Sequence, residues 1–153
     1  MAVKKRFPYQ AALVACSGGC RATAECEYGC VACGLCVGVC KFDAIGVAQV
    51  NESKCIACGA CVRECPRELI RIHECANPIV VKCSNKDLGK NARKYCEVSC
   101  IGCGLCEKVC PAGAIAMTDN LSHIDEAYCL SCGQCAVKCP RGAIVDLRGI
   151  LTD

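Results

Sequence analysis

Cys30-Val-Ala-Cys33-Gly-Leu-Cys36-Val-Gly-Val-Cys40 is a spacing that the chain writes four times. The other copies are Cys55-Ile-Ala-Cys58-Gly-Ala-Cys61-Val-Arg-Glu-Cys65, Cys100-Ile-Gly-Cys103-Gly-Leu-Cys106-Glu-Lys-Val-Cys110 and Cys129-Leu-Ser-Cys132-Gly-Gln-Cys135-Ala-Val-Lys-Cys139. Together they take sixteen of the 22 cysteines in 153 residues, and a repeat of this kind governs the reading of the fold. Gly34, Gly59, Gly104 and Gly133 follow the second cysteine, where a missing Cβ lets the backbone approach a bound ligand. Pro66, Pro111 and Pro140 follow the fourth cysteine, and Ile45, Ile70, Ile115 and Ile144 stand four residues further on as apolar plugs. Each unit reads as a tight cysteine loop, a short helical turn from the third cysteine and a return strand.

A larger duplication lies over the small one. Residues 13 to 45 match residues 80 to 115 through an apolar strand ending in Cys-Ser, a cysteine ahead of the motif (Cys26, Cys96) and the motif itself. The expected division is an N-terminal strand segment over 1–23, a first module over 24–72, a strand–helix linker over 73–97 and a second module over 98–153.

Setting cysteine aside, apolar residues make up only about two fifths of the chain, Trp is absent, and Phe and Tyr number two and four. So lean a composition needs disulfides or metals to complete its interior. Disulfide frameworks belong to exported chains. Lys4-Lys5-Arg6 followed by Ala11-Ala12-Leu13-Val14-Ala15-Cys16 imitates an export signal, but Pro8 and Gln10 leave an apolar run too short for one. Val81-Lys82-Cys83-Ser84 repeats the apparent cleavage site inside the chain, so both stretches read as strands and the expectation is a cytoplasmic protein. No charge-free apolar run is long enough to span a bilayer.

The Cys-x2-Cys-x2-Cys-x3-Cys-Pro run is the bacterial ferredoxin signature for [4Fe-4S] clusters, in which the fourth cysteine ligates the other cluster of the pair. Three thiolates on one short loop cover a face of a cube, while the fourth, on the outgoing helical turn, points to the neighbour. The first cube is assigned to Cys30, Cys33, Cys36 and Cys65, and the second to Cys55, Cys58, Cys61 and Cys40. The third falls to Cys100, Cys103, Cys106 and Cys139, and the fourth to Cys129, Cys132, Cys135 and Cys110. Pairing across the halves is the less economical alternative, because the loops within each half are short. Structural zinc usually joins two Cys-x2-Cys or Cys/His pairs across a longer loop, which suits this pattern less well. The fold class is therefore α+β: two tandem bacterial 2[4Fe-4S] ferredoxin-like modules with short strands and helices, stabilised by their clusters. Four clusters turn the formal charge of +3 into about −5, so the formal value is no argument for nucleic acid.

Cys16, Cys20, Cys26, Cys75, Cys83 and Cys96 remain. Cys16 and Cys26 match Cys83 and Cys96, which suggests either a fifth metal centre or buried, inert thiols in repeated elements. Lys41 stands where the other copies have Pro and adds a cation and an amide N–H beside Cys40, both favouring a reduced second cube. Lys82, Lys86, Lys90, Arg93 and Lys94 read as the solvated face of a helix with Leu88, Ala92 and Tyr95 on its buried stripe, in preference to a docking face for an acidic partner. His73 and His123 are isolated, Gly18-Gly19 is no phosphate loop, and no catalytic or dinucleotide-binding constellation is present, so the chain reads as an electron carrier rather than an enzyme.

Ile79-Val-Val-Lys-Cys83-Ser-Asn-Lys-Asp-Leu-Gly89, Arg93-Lys-Tyr-Cys96-Glu-Val-Ser-Cys100-Ile-Gly-Cys103 and the closing run from Cys129 to Pro140 resemble the ferredoxin portion of the B subunit of the Rnf ion-translocating electron transport complex. The resemblance runs from about Ala12 onward. It implies relay of electrons from reduced ferredoxin toward a membrane-bound flavoprotein and NAD, in an anaerobic metabolism. The family's N-terminal membrane helix and separate N-terminal cysteine domain have no counterpart in the sequence, so the expected partners are redox proteins (ferredoxin, flavoprotein or oxidoreductase subunits), with peripheral membrane association open. A fixed electron-transfer subunit of a larger redox enzyme, and a non-redox binding module with structural metal, are the alternatives.

Overall fold

The computed structural model describes residues 9–17 and 26–151. Lys4, Lys5, Arg6, Pro8, Gly18, Gly19 and Cys20, named above, lie outside them.

The first half runs β1 (Gln10–Val14), α1 (Leu35–Gly38), β2 (Ile45–Gly46), β3 (Gln49–Val50), α2 (Ala60–Glu64) and β4 (Ile70–Glu74). The second runs β5 (Ile79–Val81), α3 (Gly89–Tyr95), α4 (Leu105–Val109), β6 (Ile115–Thr118), β7 (Leu121–Ile124), α5 (Gln134–Lys138) and β8 (Ile144–Asp146). All four sheets are two-stranded and antiparallel. In each half the first strand pairs with the last, Ala12 opposite Ile72 and Val80 opposite Val145, while the middle two form a hairpin. The β6–β7 hairpin turns on Asp119 and Asn120, both at positive φ, as a two-residue loop requires and as these side chains tolerate. β1 falls inside the 1–23 segment and β5 inside the 73–97 segment, so both segments are stitched into sheets by the strand that closes their half.

The four motif helices have four or five residues, too few to be stable alone. They are held by packing instead: α1 lies against α2, and α4 against α5. Ile45, Ile70, Ile115 and Ile144 each open a strand and are buried, so the plugs sit where the chain returns from the cysteine loop. Two separate apolar clusters result, one around Val14, Ile45, Leu69 and Ile70 and one around Ile79, Val81, Ile115, Leu121 and Ile144, and cysteine sulfur forms part of both. The hydrocarbon in each is small. No helix among the described residues is long and apolar enough to cross a membrane.

The halves meet through a reciprocal contact. Ser84 Oγ donates to the Ala15 carbonyl at 2.8 Å, and Ser17 Oγ donates to the Lys82 carbonyl at 3.3 Å. Ala15 and Ser17 occupy the same repeat positions as Lys82 and Ser84, so this is the self-complementary contact of an internal two-fold.

The basic stretch departs from its sequence reading. α3 does bury Ala92, but Leu88 precedes the helix and is exposed. Lys82 lies outside the helix and is half-buried, its Nζ donating to the Ala48 carbonyl across the halves at 3.3 Å. Burial pushes its ammonium down from the ordinary lysine range.

Candidate metal centres

The cysteine loops share one backbone conformation. Ala32, Ala57, Gly102 and Ser131, each two residues after a first cysteine, have φ between 53° and 66°, and the glycine after each second cysteine has φ between 70° and 75°. Alternating left-handed residues turn successive N–H groups inward, the nest arrangement that suits anions and iron–sulfur clusters. Three of those residues carry a Cβ, and each costs about 1 kcal/mol in this region, a strain that a bound anionic cluster would offset. The glycines are needed for their φ: a Cβ on Gly34 or Gly104 would meet no protein atom.

A second left-handed position recurs three residues after each fourth cysteine, at Asp43, Glu68, Gly113 and Gly142. It bends the chain so that the next N–H returns to the cysteine. Ala44, Leu69 and Ala114 donate to Cys40, Cys65 and Cys110 Sγ at 3.4, 3.4 and 3.3 Å. Inside the loops, Ala57 donates to Cys55 and Ser131 to Cys129, and Ala12 of β1 adds a bond to Cys55 at 3.3 Å. These donors suit thiolate sulfur, whose negative charge they stabilise.

Cys30, Cys33 and Cys36 line a cavity with Cys65, walled by Val14, Leu69 and Ile70. Cys55, Cys58 and Cys61 line one with Cys40, beside Ile45 and Ile72. Cys100, Cys103 and Cys106 line another with Cys139, beside Met117 and Ile144. In the remaining set, the Cys135 thiol lies within electrostatic reach of Cys129 and Cys132, while Cys110 packs on the same apolar cluster. Cys106 and Cys135 belong to one buried cluster, on the packed helices α4 and α5, which brings the third and fourth sets together. Burial pushes the Cys135 thiol up to about 11, and raises Cys36, Cys61 and Cys106 as well, so free thiols there stay protonated until a metal displaces the proton. No described cysteine forms a disulfide.

These three cavities fit [4Fe-4S] clusters: four converging sulfurs and apolar walls in each, and N–H groups aimed at sulfur in the first two. The sequence pattern of the 4Fe-4S dicluster domain matches residues 54–114 and again 99–143, and that of a 4Fe-4S binding domain matches 27–43. The chain belongs to the 4Fe-4S dicluster domain family. Its dicluster match over 54–114 joins the second and third cysteine runs, whereas in space the first run lies with the second and the third with the fourth. The chain is 41% identical over 105 residues to the B subunit of the Na+-translocating ferredoxin:NAD+ oxidoreductase complex of Acetobacterium woodii, covering 65% of this chain and 32% of that protein. It is 40% identical over 112 residues to the B subunit of the ion-translocating oxidoreductase complex of Methanosarcina acetivorans, covering 70% of this chain and 42% of that one. The dicluster chain thus spans less than half the length of either relative. A formate dehydrogenase–heterodisulfide reductase–formylmethanofuran dehydrogenase complex from Methanospirillum hungatei contains a chain aligned at a TM-score of 0.31 and 20% identity, over 76% of this chain and 51% of that one.

The cysteines outside the four sets are placed as follows. Cys83 Sγ accepts N–H bonds from Asn85 and Cys100 at 3.4 and 3.3 Å, and Cys26 Sγ accepts one from Asn85 Nδ2 at 3.6 Å. Cys16, Cys26 and Cys83 are buried and Cys96 is half-buried. The described residues also gather a different trio, Glu52, His73 and Cys75, whose potential ligand atoms all lie within 4.8 Å of one another. His73 is therefore not isolated, and burial pushes its imidazole below the ordinary range. Sequence reasoning missed the trio because its members come from a turn and a strand some twenty residues apart. It also missed Arg67 and Arg141. Arg67 Nη1 donates to the carbonyls of Cys26 and Glu27, and Arg141 Nη2 to that of Cys96 at 2.7 Å, the same tie in both halves.

Proposed function

We propose that the chain relays single electrons through four [4Fe-4S] clusters, between a low-potential donor and an oxidoreductase, in the manner of the Rnf B subunit. The observation that carries this reading is the fourfold recurrence of one loop conformation, with four cysteines converging on a cavity in three of the four sets. In this reading the ligand sets are those of the sequence assignment: Cys30, Cys33, Cys36 with Cys65; Cys55, Cys58, Cys61 with Cys40; Cys100, Cys103, Cys106 with Cys139; and Cys129, Cys132, Cys135 with Cys110. Bound clusters supply one-electron redox chemistry. The chain's own residues hold them rigidly, exclude water with the Ile plugs, and set the charge balance with N–H donors to sulfur.

Exchange of the fourth cysteine makes each half one tandem 2[4Fe-4S] module, and the packing of α4 on α5, with Cys106 and Cys135 in one buried cluster, supports transfer between the clusters of the second module. The protein acts as a carrier and not as an enzyme in its own right, within a reducing, cytoplasmic compartment. Its partners are redox proteins of the class named by its relatives, ferredoxin on one side and an NAD-linked oxidoreductase on the other.

Anaerobic reduction with dithionite tests the redox claim: the broad visible absorbance bleaches and spin-coupled EPR signals from neighbouring clusters appear. A preparation that binds iron but cannot be reduced would overturn it in favour of a metal-stabilised binding module. Anaerobic pull-down that recovers only non-redox proteins would remove the proposed partners.

A further inference from the structure

Strand β4 ends beside a group of unlike ligands that the cluster loops do not use. His73 and Cys75 are two residues apart, and the β1–β4 ladder continues past Glu74 through the bond from Cys75 N to the Tyr9 carbonyl at 2.9 Å. Cys75 begins the turn that follows the strand, and its thiol comes to the same place as the His73 ring. Glu52 comes from the turn after β3, where Asn51 Oδ1 accepts bonds from Ser53 N and Oγ and fixes the bend that presents it. Nitrogen, sulfur and carboxylate oxygen meet there with all ligand atoms within 4.8 Å of one another.

The imidazole supplies the second observation. His73 is 1% exposed, yet neither Nδ1 nor Nε2 has a hydrogen-bond partner among the described residues. Nε2 lies 3.3 Å from Glu52 Oε1, at ion-pair distance from that carboxylate, and Nδ1 faces no acceptor or donor among the described residues. That separation is what two light-atom ligands have across a tetrahedral ion with bonds of about 2.0–2.1 Å. A buried ring with an unmet nitrogen calls for an ion or another partner. Glu126, the other carboxylate near the ring, is committed to Arg71 Nη1 at 2.8 Å and to Glu74 N at 3.1 Å.

Comparison of the halves separates this group from the cluster scaffold. Glu52 matches Glu126 in the repeat, but the positions of His73 and Cys75 are filled by Leu147 and Gly149 in the second half. A module of this fold therefore needs neither ligand to hold its clusters.

The geometry points to a mononuclear zinc site made by Glu52, His73 and Cys75, with the fourth position left to water. One thiolate, one imidazole and one carboxylate form a borderline-soft set that suits Zn2+ over Mg2+ or Ca2+. The two anionic ligands balance the ion's charge, and the ion would tie the turn after β3 to the end of β4.

The test uses the full cluster-loaded chain, prepared anaerobically, exposed to equimolar zinc sulfate and separated from free metal. Wild type retains one zinc per chain with its iron unchanged, and X-ray absorption at the zinc edge shows one sulfur near 2.3 Å among nitrogen and oxygen neighbours near 2.0–2.1 Å. His73→Ala and Cys75→Ser each weaken zinc binding at least about tenfold at constant iron content. Glu52→Gln, on a partly exposed turn, does the same and stands in should either of the others fail to fold. Three results overturn the site: no zinc retained by wild type, a sulfur-only shell, or unchanged affinity in Glu52→Gln and His73→Ala. Loss of iron from folded Cys75→Ser also overturns it, because the thiol would then belong to a cluster. The iron count of wild type reads the four-cluster proposal separately.

Discussion

Ser122 Oγ lies 3.3 Å from Cys106 Sγ, with both residues buried. With Cys106 as a thiolate ligand the hydroxyl donates to sulfur, a bond that grows stronger as the cluster gains an electron. Ser122→Ala is expected to lower the midpoint of the cluster held by Cys100, Cys103, Cys106 and Cys139 by about 20–60 mV, taking a differential of roughly 0.5–1.5 kcal/mol for one bond. EPR-monitored potentiometry checks this, and unchanged midpoints would refute it.

Lys41 makes a prediction of the same sign for another cluster. Lys41→Pro removes an N–H and a cation beside Cys40, so the cluster of Cys55, Cys58 and Cys61 should fall in potential relative to its neighbour. The lysine is exposed, so its charge is screened and the shift should survive high salt only in part. If Lys41→Pro leaves every midpoint in place, this account of the position fails.

The arginine ties predict local stability. Arg141→Met removes the bond to the Cys96 carbonyl, and Arg67→Met removes those to the Cys26 and Glu27 carbonyls. Charge-assisted bonds of this kind contribute about 1.5–3 kcal/mol. Each variant should release iron faster to a chelator, from the mutated half first. Equal rates from both halves in both variants would show that the ties are not what holds these segments.

Removing the metal should unfold the chain. The two apolar clusters are small and lined with cysteine, and the motif helices cannot stand alone. Chelation of iron is expected to abolish far-UV helix and strand signal together and to enlarge the hydrodynamic radius. An apo chain that stays compact would contradict this. Iron analysis of the loaded form also bears on the remaining thiols: more iron than four clusters require, lost in Cys83→Ser, would reveal a fifth centre.

Asp146 closes β8 by accepting N–H bonds from Arg148, Leu151 and Ile150, which hold its carboxyl below the usual range. A depressed folded-state value means the contribution is complete above the ordinary carboxyl pKa, about 3.9, and is lost as pH falls through the lower folded value. Hydrogen-exchange protection over residues 147–151, relative to the intrinsic rate at each pH, should therefore fall in acid, and Asp146→Asn should lower it at neutral pH.

Much of this architecture is legible in the cysteine spacing, because a seven-residue loop with a left-handed glycine has few ways to fold. The strand starts at Ile45, Ile70, Ile115 and Ile144 follow from the same period. Other features are hidden for definite reasons. Asp43 and Glu68 take the left-handed conformation that Gly113 and Gly142 advertise in the other copies, so residue identity alone conceals it. Pairing of first strand with last is a long-range choice made by closure of each half. Lys82 looks like part of a basic surface in sequence, and only the meeting of the halves takes it inside. The gathering of Glu52, His73 and Cys75 depends on where one turn lands beside one strand end.

The crossed serine bonds between Ala15–Ser17 and Lys82–Ser84 have a consequence for traffic. A reciprocal contact of this kind, taken alone, offers the two far ends on equal terms and sets no upstream or downstream. Whatever polarity the current has must come from the places where the copies differ, Lys41, Ser122 and His73 among them, or from what docks at either end.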